Sequence, residues 1–116
     1  MKKVSVHKLE VYGYHGCMPE EAIIGTHFLV DMEAEYDFTE SAIKDDLTKT
    51  VDYVVLAKIA REEMAVRAKL IENVCIRIHQ RIKKQYPDCA KITVTISKLN
   101  PPAGAEMERV SVTISE

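Results

Sequence analysis

The sequence predicts an α+β domain of order β-β-α-α-β-β. Two hairpins would form a four-stranded antiparallel sheet, and two helices would cover one of its faces. Three observations predict it. Residues 25–38 and 91–98 alternate apolar and polar, the period of a half-buried strand. Residues 71–86 repeat apolar side chains every three or four positions, the period of a helix. Turn-forming Gly and Pro cluster at 13–19 and 101–104, where strands would end.

The bulk composition fits one domain spanning residues 1–116. Of the 116 residues, 47% are hydrophobic and 29% charged, with both signs interspersed, as in a globular core-forming chain. The net charge is -2 and there is no long basic run, which argues against a nucleic-acid partner. Arg81, Lys83 and Lys84 fall at a helix end, where cations complement the dipole. No apolar run is long enough for a membrane span, and Met1-Lys2-Lys3-Val4 opens no apolar signal segment. Cys17, Cys75 and Cys89 are scattered, with no CxxC pair, and read as free thiols of a reducing cytoplasm.

In chain order, Lys3–Tyr14 reads as a strand. Its apolar phase moves from even (Val4, Val6) to odd (Leu9, Val11), so a bulge is expected near His7-Lys8. Tyr12-Gly13-Tyr14-His15-Gly16-Cys17-Met18-Pro19-Glu20-Glu21 reads as a shaped loop. In 25–38, Phe28, Val30, Met32, Ala34 and Tyr36 share one face, and His27, Leu29, Asp31, Glu33 and Glu35 the other. Thr39 would cap a short helix and Lys44–Lys49 would be a polar connection. Asp52 would cap a helix running to about Arg67. After a break at Ala68-Lys69, a second helix is expected from about Leu70 to Gln85, stopped by Pro87. Lys91–Lys98 and Glu108–Ser115 alternate again, joined by an Asn100-Pro101-Pro102-Ala103-Gly104 turn.

Such a sheet leaves two unpaired edges. Pairing them between copies would close a barrel, so a homo-oligomer is expected. A monomer with charge-protected edges is the alternative.

Several side chains admit both a chemical and a structural reading. Lys98 continues the parity of Ile92, Val94 and Ile96 onto the apolar face. Partly desolvated there, it would lose basicity and serve as an acid or base; if the helices stop short of it, its ammonium simply reaches water. Glu72, in a helix's first turn, either complements the dipole or accepts paired N–H donors from a guanine- or pterin-like ring. Tyr53, beside Asp52, stacks on a flat ligand or packs against its own core. Glu21 binds hydroxyls or is surface charge. His15 is a core or a loop histidine. Cys75 and His79 stand one helical turn apart, a spacing zinc uses, but Cys75 lies on the core stripe and no second pair completes a site; no metal is expected. Phosphate-binding loops and nucleophile elbows are absent.

Taken in order, Tyr12-Gly13-Tyr14-His15-Gly16 with Pro19-Glu20-Glu21, Gly25 with Phe28 and Val30-Asp31, Asp45-Asp46-Leu47, Thr50-Val51-Asp52-Tyr53, Leu70-Ile71-Glu72 and Lys98-Leu99-Asn100-Pro101-Pro102 resemble the dihydroneopterin aldolase family over nearly the whole chain. The resemblance implies a tunnelling fold (T-fold), in which sheets of several subunits form a barrel with helices outside, usually as an octamer of two stacked rings of four. It also implies an active site between subunits. Glu72 would take the pterin's N–H groups, helped by backbone at Leu70 and Ile71. Tyr53 of a neighbouring subunit, with Val51 and Asp52, would cover the ring. Glu21 would hold the side-chain hydroxyls. Lys98 would manage protons, and Tyr53 would relay them. The implied reaction is a cofactor-free retro-aldol cleavage of 7,8-dihydroneopterin, with C2′ epimerisation as a side activity.

Some positions depart from the family's usual text: Val54 and Thr26 stand where Gly and Gln are frequent, Leu99 replaces a frequent Pro, and the 100–104 turn is shorter. These bear on pocket shape and on the aldolase-to-epimerase balance. Rival readings are an epimerase of dihydroneopterin or its triphosphate, which would need basic residues around the pocket; a zinc-dependent pterin synthase of the same fold, which would need a histidine trio; and a pterin-binding oligomer without turnover.

Overall fold

A computed structural model describes residues 1–116 except Pro102, Ala103 and Ala105, and omits the Lys49 side chain. Four strands, β1 (Lys3–Gly13), β2 (Thr26–Glu35), β3 (Lys91–Leu99) and β4 (Arg109–Ser115), pair in the order β1-β2-β3-β4. Every pairing is antiparallel. The helices are α1 (Pro19–Ile24), α2 (Thr39–Lys44), α3 (Tyr53–Met64) and α4 (Ile71–Gln85). The expected β-β-α-α-β-β skeleton is therefore present, with the short helix expected at Thr39 (α2) and one not expected, α1.

Alternation decides the faces. Phe28, Val30, Met32 and Ala34 of β2 align with Lys98, Ile96, Val94 and Ile92 of β3. Apart from Lys98, they form one buried core with Leu56, Ile59, Ala60 and Met64 of α3 and Val74, Cys75, Ile78 and Ile82 of α4. A period of two meets a period of 3.6 across a single interface, so the apolar stripe of each helix packs on the apolar face of the strands. The opposite face is polar. Three cross-strand hydroxyl pairs, Thr93–Ser115, Thr95–Thr113 and Ser97–Ser111, run along it at 2.7, 2.9 and 2.7 Å.

The phase change in β1 is a bulge. Register shifts between Val6 and Leu9, Lys8 has φ 52°, and its amide donates to Asp31 Oδ1 at 2.9 Å. The extra residue lets Val6 and Leu9 both face the core despite their opposite parity.

Other boundaries differ from expectation for identifiable reasons. The second strand stops at Glu35, not Phe38. Thr39 is the first residue of the next helix and Phe38 its cap position, while Asp37 Oδ1 just before it accepts from the Thr39 amide at 3.0 Å. The 44–49 connection contains a 3-10 turn at Leu47–Lys49, held by Asp46, which accepts from the Thr48 amide at 3.0 Å. Asp52 caps α3 as expected, accepting from Val54 N at 2.9 Å. That helix ends at Met64 rather than Arg67; its last turn tightens as Val66 N donates to Glu63 O at 3.1 Å, and Arg77 takes the carbonyls of Glu63 and Val66 at 3.2 and 2.8 Å. The 101–104 turn lies partly outside the described residues.

Candidate active site

The 14–21 stretch, read as a loop, holds a helix. Pro19 opens α1 with its fixed φ, and Glu20 and Glu21 occupy the first turn, where carboxylates suit the dipole. The helix carries Glu21 back over the end of β3. There Lys98 Nζ donates to Glu21 Oε2 at 2.5 Å. Lys98 is 9% exposed, so its ammonium does not simply reach solvent. It also lies 5.9 Å from the centre of the Phe28 ring. A charge so buried requires a counter-charge, and Glu21 supplies it.

Glu21's surroundings oppose one another. Burial, the largest single influence, favours its neutral form. The hydrogen bond from Lys98, that from the Met18 amide, and the charges of Lys98 and Arg67 outweigh it, and hold the carboxyl below its ordinary pKa. The Met18 amide donates to Glu21 Oε1 at 3.2 Å. Gly16 completes the cradle. Its φ is +149°, and a side chain there would overlap the Glu21 carboxylate.

The turn 65–70 forms the other wall. It delivers Leu70, Ile71 and Glu72 at the start of α4. The resulting cleft, about 260 Å³, is lined by Glu21, Leu70, Ile71, Glu72 and Lys98, with Gly16, Cys17, Met18, Lys69, Pro101 and Val110 around them. At its α4 wall stand backbone N–H groups of a helix's first turn, which lack intrahelical acceptors.

Five of the eight residues singled out in the sequence thus share one cleft. Val51, Asp52 and Tyr53 do not line it. Val51 is 5% exposed, within its own core, and its amide donates to Tyr36 Oη at 3.0 Å. Asp52 is occupied in capping α3, while its amide donates to Tyr86 Oη at 3.2 Å. Tyr53 is 65% exposed, so it does not pack into its own core.

His15 is a core histidine. It is buried, meets the Phe28 ring edge-to-face with ring centres 5.2 Å apart, and accepts from Ala68 N through Nδ1 at 3.1 Å. Burial lowers its pKa; the Met64 backbone opposes this, and the charges of Arg77, Lys98 and Arg67 reinforce it. Cys75 donates to Val94 O at 3.4 Å, and burial pushes its thiol up to about 11. His79 Nε2 lies 3.1 and 2.9 Å from the carbonyls of Ile92 and Glu116. Cys75 and His79 therefore serve the core and the sheet's end, and no metal-ligand cluster occurs among the described residues.

The Glu21–Lys98 pair was not visible in the sequence, since 77 positions separate the two. Helix α1 was signalled by Pro19-Glu20-Glu21, a helix-opening pattern set inside a turn-rich stretch.

A four-stranded antiparallel sheet with two long helices on one face, and a lysine–carboxylate cleft where a strand end meets a helix start, defines a T-fold enzyme. The model of the family described as FolB, dihydroneopterin aldolase, matches residues 4–115. Dihydroneopterin aldolase of Bacillus subtilis is 32% identical over 116 residues, covering 99% of this chain and 97% of the relative. That of Streptococcus pyogenes serotype M3 is 32% identical over 97% of this chain and 95% of its own. The structure of E. coli dihydroneopterin aldolase in complex with neopterin superposes with a TM-score of 0.90 at 22% identity, covering 100% of this chain and 99% of that one. The chain belongs to the dihydroneopterin aldolase family, lyases of folate biosynthesis.

Proposed function

We propose that the cleft binds 7,8-dihydroneopterin and cleaves it to 6-hydroxymethyl-7,8-dihydropterin and glycolaldehyde, with residues in the following roles. Glu72 accepts two N–H groups of the pterin edge, and backbone at Leu70 and Ile71 completes the contact. The trihydroxypropyl side chain then points toward Glu21 and Lys98. The observation that carries this reading is the convergence of Glu21, Lys98 and Glu72 on one cleft.

The substrate's 2′-hydroxyl gives up its proton, the C2′ oxygen becomes a carbonyl, and the C1′–C2′ bond breaks. Its electrons flow into the ring's N5=C6 imine, forming an enamine whose N5 takes a proton. Protonation at C1′ with release of the N5 proton then restores the imine and leaves the hydroxymethyl product. The imine is the electron sink, so the chemistry needs neither metal nor Schiff base; it needs proton transfer in a fixed geometry. Lys98 Nζ donates to Glu21 Oε2 at 2.5 Å, a pair suited to passing a proton to and from a hydroxyl placed beside it. Reclosure on the other face of glycolaldehyde gives the C2′ epimer as a side product. The described cations lining the cleft are Lys69 and Lys98, a small complement for a triphosphate, which favours the unphosphorylated substrate.

Tyr53 covers the ring from a neighbouring subunit and relays protons, with the Val51 and Asp52 backbone beside it. Three features support this. These residues lie outside the chain's own cleft, Tyr53 and Val54 are exposed, and β1 and β4 have free outer edges. The shape agrees: the radius of gyration is 15.4 Å, above the roughly 13 Å of a compact domain of this length. We extend this to an octamer of two stacked four-membered rings, acting in the cytoplasm. No helix among the described residues is long and apolar enough to cross a membrane.

The test is incubation with 7,8-dihydroneopterin, assaying glycolaldehyde with and without a chelator. Release unaffected by the chelator is expected. Binding without release would make the protein a pterin carrier, and loss on chelation would indicate metal-dependent chemistry.

A further inference from the structure

We propose that Arg67 is a positioning residue that clamps the two walls of the cleft and so sets where the Glu21–Lys98 pair stands relative to Glu72. For its kinetic arm this inference rests on the aldolase reading above. Arg67 follows the end of α3 and turns away from that helix. Its Nε donates to Tyr14 O at 2.9 Å and its Nη2 to Gly16 O at 2.7 Å. Two carbonyls two residues apart are thus gripped by one planar fork, a geometry that a lysine's single ammonium does not reproduce. The adjoining backbone closes the same seam: Gly16 N donates to Ala68 O at 3.0 Å, and Ala68 N to His15 Nδ1 at 3.1 Å.

Gly16 is the hinge point of this clamp. Its carbonyl takes Arg67, its amide takes the 65–70 turn, and its α-carbon faces the Glu21 carboxylate. A drift of Gly16 therefore moves Glu21 against Lys98. The turn on the other side of the clamp leads directly into Leu70 and Glu72. Arg67 does not line the cleft; its charge helps to keep Glu21 ionised, and its hold on placement passes through the loop it grips. Catalysis is sensitive to such placement, because a misplacement of about 1 Å can cost on the order of a hundredfold in rate.

The experiment compares wild type with Arg67→Ala and Arg67→Lys. Three quantities are read: turnover of 7,8-dihydroneopterin, Kd for a pterin lacking the side chain, and amide hydrogen exchange. For Arg67→Ala, kcat should fall roughly tenfold to a hundredfold, while Kd for the bare pterin, held by Glu72, stays within about threefold. Guanidinium ion at low concentration should restore part of that rate, and Arg67→Lys should recover little of it. Exchange should quicken at 14–18 and 66–70 but not in the central strands. The clamp is overturned if exchange over 14–18 is unchanged, if Arg67→Lys matches wild type, or if kcat and bare-pterin affinity fall in parallel without rescue. Absence of glycolaldehyde from the wild type would instead strike the aldolase reading, and the exchange measurement would still decide the clamp.

Discussion

Lys98 Nζ stands 2.5 Å from Glu21 Oε2, at the point where α1 returns over the end of β3. Both side chains are largely buried, 11% and 14% exposed. Removing one partner of such a pair strands the other charge. Glu21→Gln should therefore destabilise the fold by about 1–3 kcal/mol, less than the roughly 3–5 kcal/mol typical of a fully buried pair. Glu21's carboxyl is held below its ordinary pKa. The stabilisation it supplies is complete above the unfolded carboxylate's pKa, and is lost as pH falls through the lower folded value. Urea denaturation of wild type and Glu21→Gln should show the stability gap near neutrality and its narrowing in acid.

Gly16→Ala tests the cradle. The residue adopts φ +149°, and an added methyl would meet the Glu21 carboxylate. Backbone strain of about 1–3 kcal/mol and displacement of Glu21 should both follow. The expected result is a lower Tm together with a loss of turnover greater than that of Gly25→Ala, which is strained as well (φ +70°) but lies outside the cleft. Equal losses in the two variants would mean that Gly16 matters only to folding.

His15 adds a second pH dependence, of separate origin. Burial leads the influences that lower its pKa, so the neutral ring is the native form. Its contribution is complete above the unfolded imidazole's pKa of about 6.5 and is lost as pH falls through the lower folded value. His15→Asn keeps an acceptor for Ala68 N without titrating. Denaturation from about pH 7.5 downward, across the ordinary imidazole value of about 6.5, should show wild type losing stability ahead of the variant.

Subunit sharing can be tested by mixing inactive variants. If Tyr53 serves a neighbour's cleft, Tyr53→Ala and Lys98→Ala chains refolded together should regain up to about a quarter of wild-type activity, since some sites then receive both intact residues. Sedimentation should report an octamer. Mixed oligomers without regained activity would place Tyr53 outside the site.

Much of the fold was legible because it rests on periodicity. The phases of β2 and β3 and the Ile71–Ile82 stripe fixed which faces meet, and even the β1 bulge showed as a parity change. The parts that escaped depend on contacts between distant segments. Helix α1 is only six residues long, too short to display a period, and its Pro19 signal sits among turn formers. No Gly or Pro marks the end of α3 at Met64; the Glu63 and Val66 carbonyls are taken by Arg77 of the next helix. Parity placed Lys98 on the covered face, but its burial depends on Glu21, brought from 77 positions away. The grouping of Glu21, Glu72 and Lys98 was implied by family resemblance and is visible in the cleft; the roles of Val51, Asp52 and Tyr53 rest on that resemblance and on the exposed position of Tyr53.

The division of labour within the cleft is the central claim, and paired kinetics on two variants test it most directly. Glu72→Ala should weaken neopterin binding by about 1.5–3 kcal/mol, roughly ten- to a hundredfold in Kd, because a charge-assisted grip on the ring is lost. Lys98→Ala should leave Kd nearly unchanged and lower kcat by about 10²–10⁴-fold, the usual range of a general acid–base group. Intact turnover with collapsed binding in Lys98→Ala would contradict the account.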